Sequence, residues 1–522
     1  MKRLILLVAL GVTALALSGV GVWMVVRGLD PIKYIRDMMT GYQSGHARHR
    51  FPPEQVVRWD PIGDHNAAVA AMAPEDRAYP LLVEATARLR AMRDESWDES
   101  WGERPGATLP DFITARSGDP EWARLAAWLE EEPVREVLAI VREAAGRPQL
   151  GQPLGVREDA ERVEIMARHG IEIAPDPTPP PAQRLLLGAL LPSAAAIRDV
   201  GRLCVAWAEL AAERGDAREF EAAVVDLFGL ASLASEPGFV INHLIRIAVL
   251  MMAVDRTGDA IMHHPGLVDD AMAARFDAML ADALAAGWTA PDPTMELAVF
   301  EDILRSMVDN RGVFNPALGQ QAAVAVDQLE SFASAPASTA PLTAFNADLL
   351  ACYRRLETQA AAGVAAVETP WQPYAISQEE FEAWLKERDS IPGRIGKLLL
   401  GVVSMDWSMP AKTFRTAHHE VLGLRVALAA HRHQLRHGQP ASSLGAIDSD
   451  LLIFDPIDGF TGGRLVYRWT GEGHLVYAFG ADHDDDGGRP AADPDGAAVR
   501  TITDDYLRGK WDGDWVVFPP RE

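Results

Sequence analysis

An uncharged stretch, Leu4–Val26, follows the basic start Met1-Lys2-Arg3 and constrains the chain more than any other feature. As a helix, its 23 residues would rise about 1.5 Å each, enough to cross the roughly 30 Å hydrocarbon layer of a bilayer. Trp23 near its end and Arg27 after it suit the membrane interface. A cleaved signal peptide is the rival reading. Ala14-Leu15-Ala16 resembles a cleavage site, yet the apolar run continues ten residues past it, and a cleavable core is normally only about 7–15 residues long. Lys2 and Arg3 before the span are nearly balanced by Arg27, Lys33 and Arg36 after it, so charge alone does not orient it. The short basic tail before a long apolar run has the form of an uncleaved signal anchor with its N-terminus inside. Residues 1–27 are therefore expected to be a cytoplasmic tail and a single-pass anchor. The anchor, residues 4–26, would sit in the cytoplasmic (inner) membrane, with the bulk of the chain extracytoplasmic.

The full length of 522 residues predicts two or three compact units beyond the anchor. A net charge of −25 argues against a nucleic-acid partner, which needs a basic face. The two cysteines, Cys204 and Cys352, lie far apart in expected helices; buried free thiols are preferred over a disulfide.

Residues 28–62 lack periodicity and are expected to form a juxtamembrane linker. Residues 63–175 are expected to be an N-terminal helical region, with Asp64 as a helix cap. A further helix opens at Asp119-Pro120, and another runs from Pro133 to Ala145. The run Asp176–Pro181 is too proline-rich for a helix interior and marks a boundary. Residues 183–415 predict an irregular antiparallel helical array. Its helices are expected near 183–214, 219–235, 239–263 and up to 286, punctuated by Gly215-Asp216, Pro237-Gly238 and Pro265-Gly266. His243 and Arg246 within the third make it a buried soluble helix rather than a span. More helices are expected near 295–308, 320–332 and 342–367. The last, 416–437, carries the stripe Val421, Leu424, Leu428 and Leu435.

After Gly438 the pattern changes. Leu465–Tyr467 and Leu475–Tyr477 are expected strands joined through Gly471-Glu472-Gly473, and Trp515–Phe518 adds a terminal strand. Residues 416–522 thus form a small α+β unit, and the fold class is mainly α. An ordered series runs through it. A helix ends in Arg436-His437-Gly438-Gln439-Pro440. Asp455-Pro456-Ile457-Asp458-Gly459 follows, then Leu465–Arg468, then Leu475–Asp482 and a Gly/Asp-rich loop. Over about 90 of the 522 residues, this series resembles the globular domain of the major pseudopilin of type II secretion systems. The chain departs from that family in two ways: Leu4–Val26 has no acidic residue, and about 400 residues separate it from the tail. The helical body is also similar to large uncharacterised bacterial envelope proteins that end in such a tail.

The segment Asp482-His483-Asp484-Asp485-Asp486-Gly487 has the spacing of the first half of a calcium loop. Carboxylates at Asp482, Asp484 and Asp486, the carbonyl of Gly488, and Asp493 at the twelfth position are the candidate Ca2+ ligands. Three carboxylates on one turn repel one another unless a hard cation neutralises them. The alternative is a solvated acidic turn. The resemblance implies calcium at the corresponding loop.

His433 and His437 lie four apart and share a helical face, as paired metal ligands can, while His431 falls on the apolar stripe as a core histidine. No nucleophile elbow, phosphate-binding loop or dinucleotide fingerprint occurs. The expected function is a membrane-anchored, extracytoplasmic, non-catalytic scaffold or binding protein with a calcium-stabilised C-terminal domain and an envelope protein as partner. The alternatives are an envelope hydrolase built from His and carboxylates of the helical region, or an accessory of a secretion apparatus.

Overall fold

The computed structural model describes residues 61–96, 109, 111–155, 159–173, 186, 189, 191–290, 292, 294–295, 298–299, 408–493 and 512–519. The expected anchor, the linker up to residue 60, the helices expected at 320–332 and 342–367, and Cys352 lie outside them. Among the described residues no helix is long and apolar enough to cross a membrane.

Ten α-helices and one three-stranded sheet make up the described fold. The first five helices are α1 (Pro61–Ala70), α2 (Tyr79–Ser96), α3 (Trp122–Leu129), α4 (Glu132–Ala145) and α5 (Ala160–Arg168). The next four are α6 (Pro192–Glu213), α7 (Ala217–Ala234), α8 (Val240–His263) and α9 (Asp270–Ala285), followed by the long α10 (Ser408–His437). Strands β1 (Val466–Trp469), β2 (His474–Ala478) and β3 (Trp515–Phe518) pair antiparallel in that order.

Local chemistry sets the helix ends. Gly215 takes φ +68 after α6, a left-handed conformation that costs glycine little. Asp216 then caps α7 by accepting from the Glu219 amide, and Asp269 caps α9 by accepting from Met272 N at 2.7 Å. α6 was expected from residue 183 but begins at Pro192, because the residue before a proline disfavours helical backbone. α1 likewise starts at Pro61, with Asp64 in its first turn rather than as its cap. Cys204 is a buried free thiol on α6, and burial pushes its pKa up.

α6, α7 and α8 pack side by side, and α10 lies against α8, α9, β2 and β3. One continuous core therefore runs from Tyr79 to Phe518. The boundary expected at 415/416 falls inside α10, which starts at Ser408 and serves both the helical array and the sheet. Every residue from Val421 to His431 is buried, where a one-sided helix would bury only a stripe. Leu435, expected on that stripe, is 45% exposed, in the last turn of the helix. Gly423 permits the close approach of β3. A Cβ there would lie 2.8 Å from Val517 Cγ2 and 3.1 Å from its carbonyl oxygen.

Polar contacts fix α10 in register. Arg425 Nε donates to Asp277 on α9 at 2.7 Å, and its guanidinium lies 3.8 Å from the Phe454 ring centroid. His431 Nε2 bonds the Val268 carbonyl at 2.9 Å, the core role expected of it. The Arg415 guanidinium reaches the Gly459 carbonyl, and the Gly459 amide donates to His419 Nε2 at 2.9 Å, pinning the 458–463 turn to α10.

Asp277→Ala leaves the Arg425 charge buried without its carboxylate. The expected loss is about 3–5 kcal/mol in denaturant unfolding; a loss under about 1 kcal/mol would show the pair to be inessential.

Burial also lowers the pKa of His418 to about 4, with a smaller push from Arg415. His474, buried beside His431, is likewise lowered to about 4. The folded protein binds these protons less readily than the unfolded chain does. The stability that rests on the neutral imidazoles is complete above about pH 6.5 and is lost as pH falls toward 4. Chemical denaturation at pH 7.5, 5.5 and 4.5 should show this decline, with a shallower slope in His474→Gln. Equal stability at all three values would contradict the buried neutral histidines.

Candidate metal centre

The acidic loop follows β2 directly and folds back beneath the residues that lead into β3. Gly480, His483, Gly487 and Gly488 all have positive φ, so the chain turns sharply several times within the 480–488 segment. Two contacts hold it to the C-terminal strand segment: Ala491 N donates to the Asp514 carbonyl at 3.1 Å, and Asp514 N to the Arg489 carbonyl at 2.8 Å. Gly513 sits at this crossing with φ +124, and a Cβ on it would meet Ala491 Cα at 2.7 Å.

Asp482, Asp484 and Asp486 are brought together as the spacing predicts, and Asp512 joins them. One carboxylate oxygen from each lies within 4.8 Å of the others. Asp493 is not among these four. The Gly488 amide donates to Asp514 Oδ2 at 2.6 Å, which leaves its carbonyl, the expected ligand, available. Asp512 escapes sequence reasoning because it is 26 residues beyond Asp486 and arrives only through the pairing of β2 with β3. The run Asp512-Gly513-Asp514 before an expected strand was the available signal.

Asp485 faces the sheet instead, accepting from Tyr477 Oη at 2.9 Å and pairing with Arg468 at 3.2 Å. The four grouped carboxylates have fewer such partners. Asp482 Oδ2 accepts from Gly513 N at 3.1 Å, but Asp482 Oδ1 and Asp486 Oδ2 are buried without any hydrogen bond. The charge of Asp482 first, then burial and the charges of Asp486 and Asp512, push the Asp484 carboxyl above its ordinary pKa. Arg489 is the local counter-charge, paired with Asp486 and with Asp512 at 2.7 Å. One exposed guanidinium against four carboxylates leaves negative charge uncompensated.

A separate cavity of about 280 Å³ opens between α2, α5 and the start of α6. Tyr79, Leu82, Thr86, Arg90, Arg162 and Ser193 are among the residues lining it, and no histidine or carboxylate is.

No protein-family model, curated protein or solved structure matches this chain.

Gly513→Ala forces a side chain into backbone at a positive φ. About 1–3 kcal/mol of strain is expected, seen as a lower Tm and faster proteolysis of the 482–491 loop. An unchanged cleavage rate would mean that the crossing does not hold the loop.

Proposed function

We propose that the chain is a membrane-tethered, extracytoplasmic, non-catalytic scaffold or binding protein whose C-terminal unit is closed by calcium. The observation that carries the calcium reading is the set of four carboxylate oxygens within 4.8 Å of one another, with two of the four residues carrying a buried oxygen that has no hydrogen bond. Calcium binds oxygen at about 2.3–2.6 Å, so ligands on opposite sides of one ion stand about 4.6–5.2 Å apart. Asp482, Asp484, Asp486 and Asp512 would hold the ion, which would supply the positive charge that Arg489 alone does not. Its role there is structural. It would join the loop after β2 to the residues before β3 and so close the unit that resembles the pseudopilin globular domain.

The membrane tether rests on the length and apolarity of Leu4–Val26. The lining of the described cavity offers hydrophobic contact, hydroxyls and two guanidinium groups, chemistry that suits binding. A hydrolase would need a histidine and a carboxylate converging on such a pocket.

Calcium should raise the Tm of the detergent-solubilised full chain at millimolar concentration, and Asp484→Asn combined with Asp486→Asn should abolish the rise. The same double variant should be more stable than the native chain in chelator, because repulsion is relieved. No calcium-dependent rise would overturn the site. Fractionation that finds the intact polypeptide in the cytosol would overturn the tether.

A further inference from the structure

The C-terminal end of α10 gathers a second group of ligand-type side chains, away from the acidic loop. Gly438 ends the helix with φ +69, and the chain reverses through Pro440 and a short 3-10 turn, Leu444–Ala446. Ile447 and Leu451 are buried, which fixes the returning segment against the core. Asp448 between them is thereby placed beside the last turn of α10. His433 Nδ1 lies 3.2 Å from Asp448 Oδ1, and His437 Nε2 lies 3.0 Å from Asp448 Oδ2. The two imidazole centroids are 4.4 Å apart, and one ligand atom from each of the three residues lies within 4.8 Å of the others.

We propose that His433, His437 and Asp448 form a binding site for a late first-row divalent cation of the zinc class. Four observations support it. First, ligands around a tetrahedral zinc sit at about 2.0–2.2 Å, so neighbouring ligand atoms are separated by about 3.3–3.6 Å. His433 Nδ1 and His437 Nε2 each lie 3.2 Å from the same oxygen, Asp448 Oδ1, close to that edge, and all three ligand atoms lie within 4.8 Å of one another. Second, two imidazoles with one carboxylate suit zinc, nickel or copper, whereas calcium and magnesium favour oxygen alone. Third, the end of a long helix carries partial negative charge that favours a cation. Asp448 and Asp450 add to it, and the one guanidinium of Arg436 is shared between them, at 3.7 Å from Asp448 and 2.7 Å from Asp450. Fourth, the side chain of His433 is 14% exposed and that of His437 51% exposed. The site is thus anchored on one side and open on the other, leaving a coordination position for water or for a ligand from a partner. Metal there would clamp the end of α10 to the 444–451 segment.

The test uses the chelator-stripped, detergent-solubilised full chain and zinc alone as the titrant, followed by calorimetry. The acidic loop collects cations of its own, so the comparison is between the native chain and His433→Ala/His437→Ala. The native chain should show a saturable zinc site that the double variant lacks. Asp448→Asn should weaken that site about tenfold or more. Cobalt should give visible d–d absorption with the native chain and none with the double variant, a signature that loss of packing alone would not remove selectively. Metal-free melting of each variant, with His437→Gln as a milder substitution, separates unfolding from loss of ligand. Identical zinc isotherms for the native and double-variant chains would overturn the proposal, as would no zinc binding at all. An unaffected Asp448→Asn would overturn the three-ligand site.

Discussion

The described structure depends on the burial of α10 from two sides. Its residues from Val421 to His431 all lie inside, against α8 and α9 on one side and β2 and β3 on the other. A three-stranded sheet this small is marginal by itself, and α10 supplies the apolar surface that it covers. The absence of a side chain at Gly423 lets Val517 pack down onto the helix. The sheet and the helical array are consequently one packing unit, and both candidate metal groups hang from it.

Charge is handled differently in the core and at its edges. Inside, two cations are matched by carboxylates: Arg425 with Asp277, and Arg256 with Glu209 and Asp259. Buried histidines stay neutral, held by a carbonyl, a hydroxyl or a backbone amide, as at His431, His418 and His419. At the edge, the Asp482–Asp486 loop concentrates carboxylates, with Arg489 paired to Asp486 and Asp512 and Arg468 paired to Asp485. Unpartnered buried oxygens are expensive, and the proposed cation would relieve that cost there. The end of α10 is the milder case, where imidazole and carboxylate satisfy one another and a metal would replace hydrogen bonds rather than relieve repulsion.

Helix positions within 217–263 were legible because each end carries its own local signal: Gly215, Asp216, and the Pro237-Gly238 break. The strands were legible from short apolar runs around Gly471–Gly473, and the observed pairing Tyr467↔Val476 follows from that turn. The joining of the tail to the body was not legible. An amphipathic stripe on α10 looks the same whether one or two partners cover it, and alanines such as Ala427, Ala429 and Ala430 do not declare which face they bury. Three loop carboxylates were readable from their spacing, since a turn of i, i+2, i+4 places them together by local geometry alone.

The sequence by itself determined the apolar leader, the helix boundaries near glycine, proline and capping aspartates, and the Asp482–Asp486 turn, because each depends only on neighbours along the chain. The tertiary structure decided that Asp512 joins the acidic group, and that Asp448 returns to His433 and His437. Those meetings join residues 26 and 11 positions apart. They follow from strand pairing and core packing, which are properties of the whole chain that no short stretch encodes.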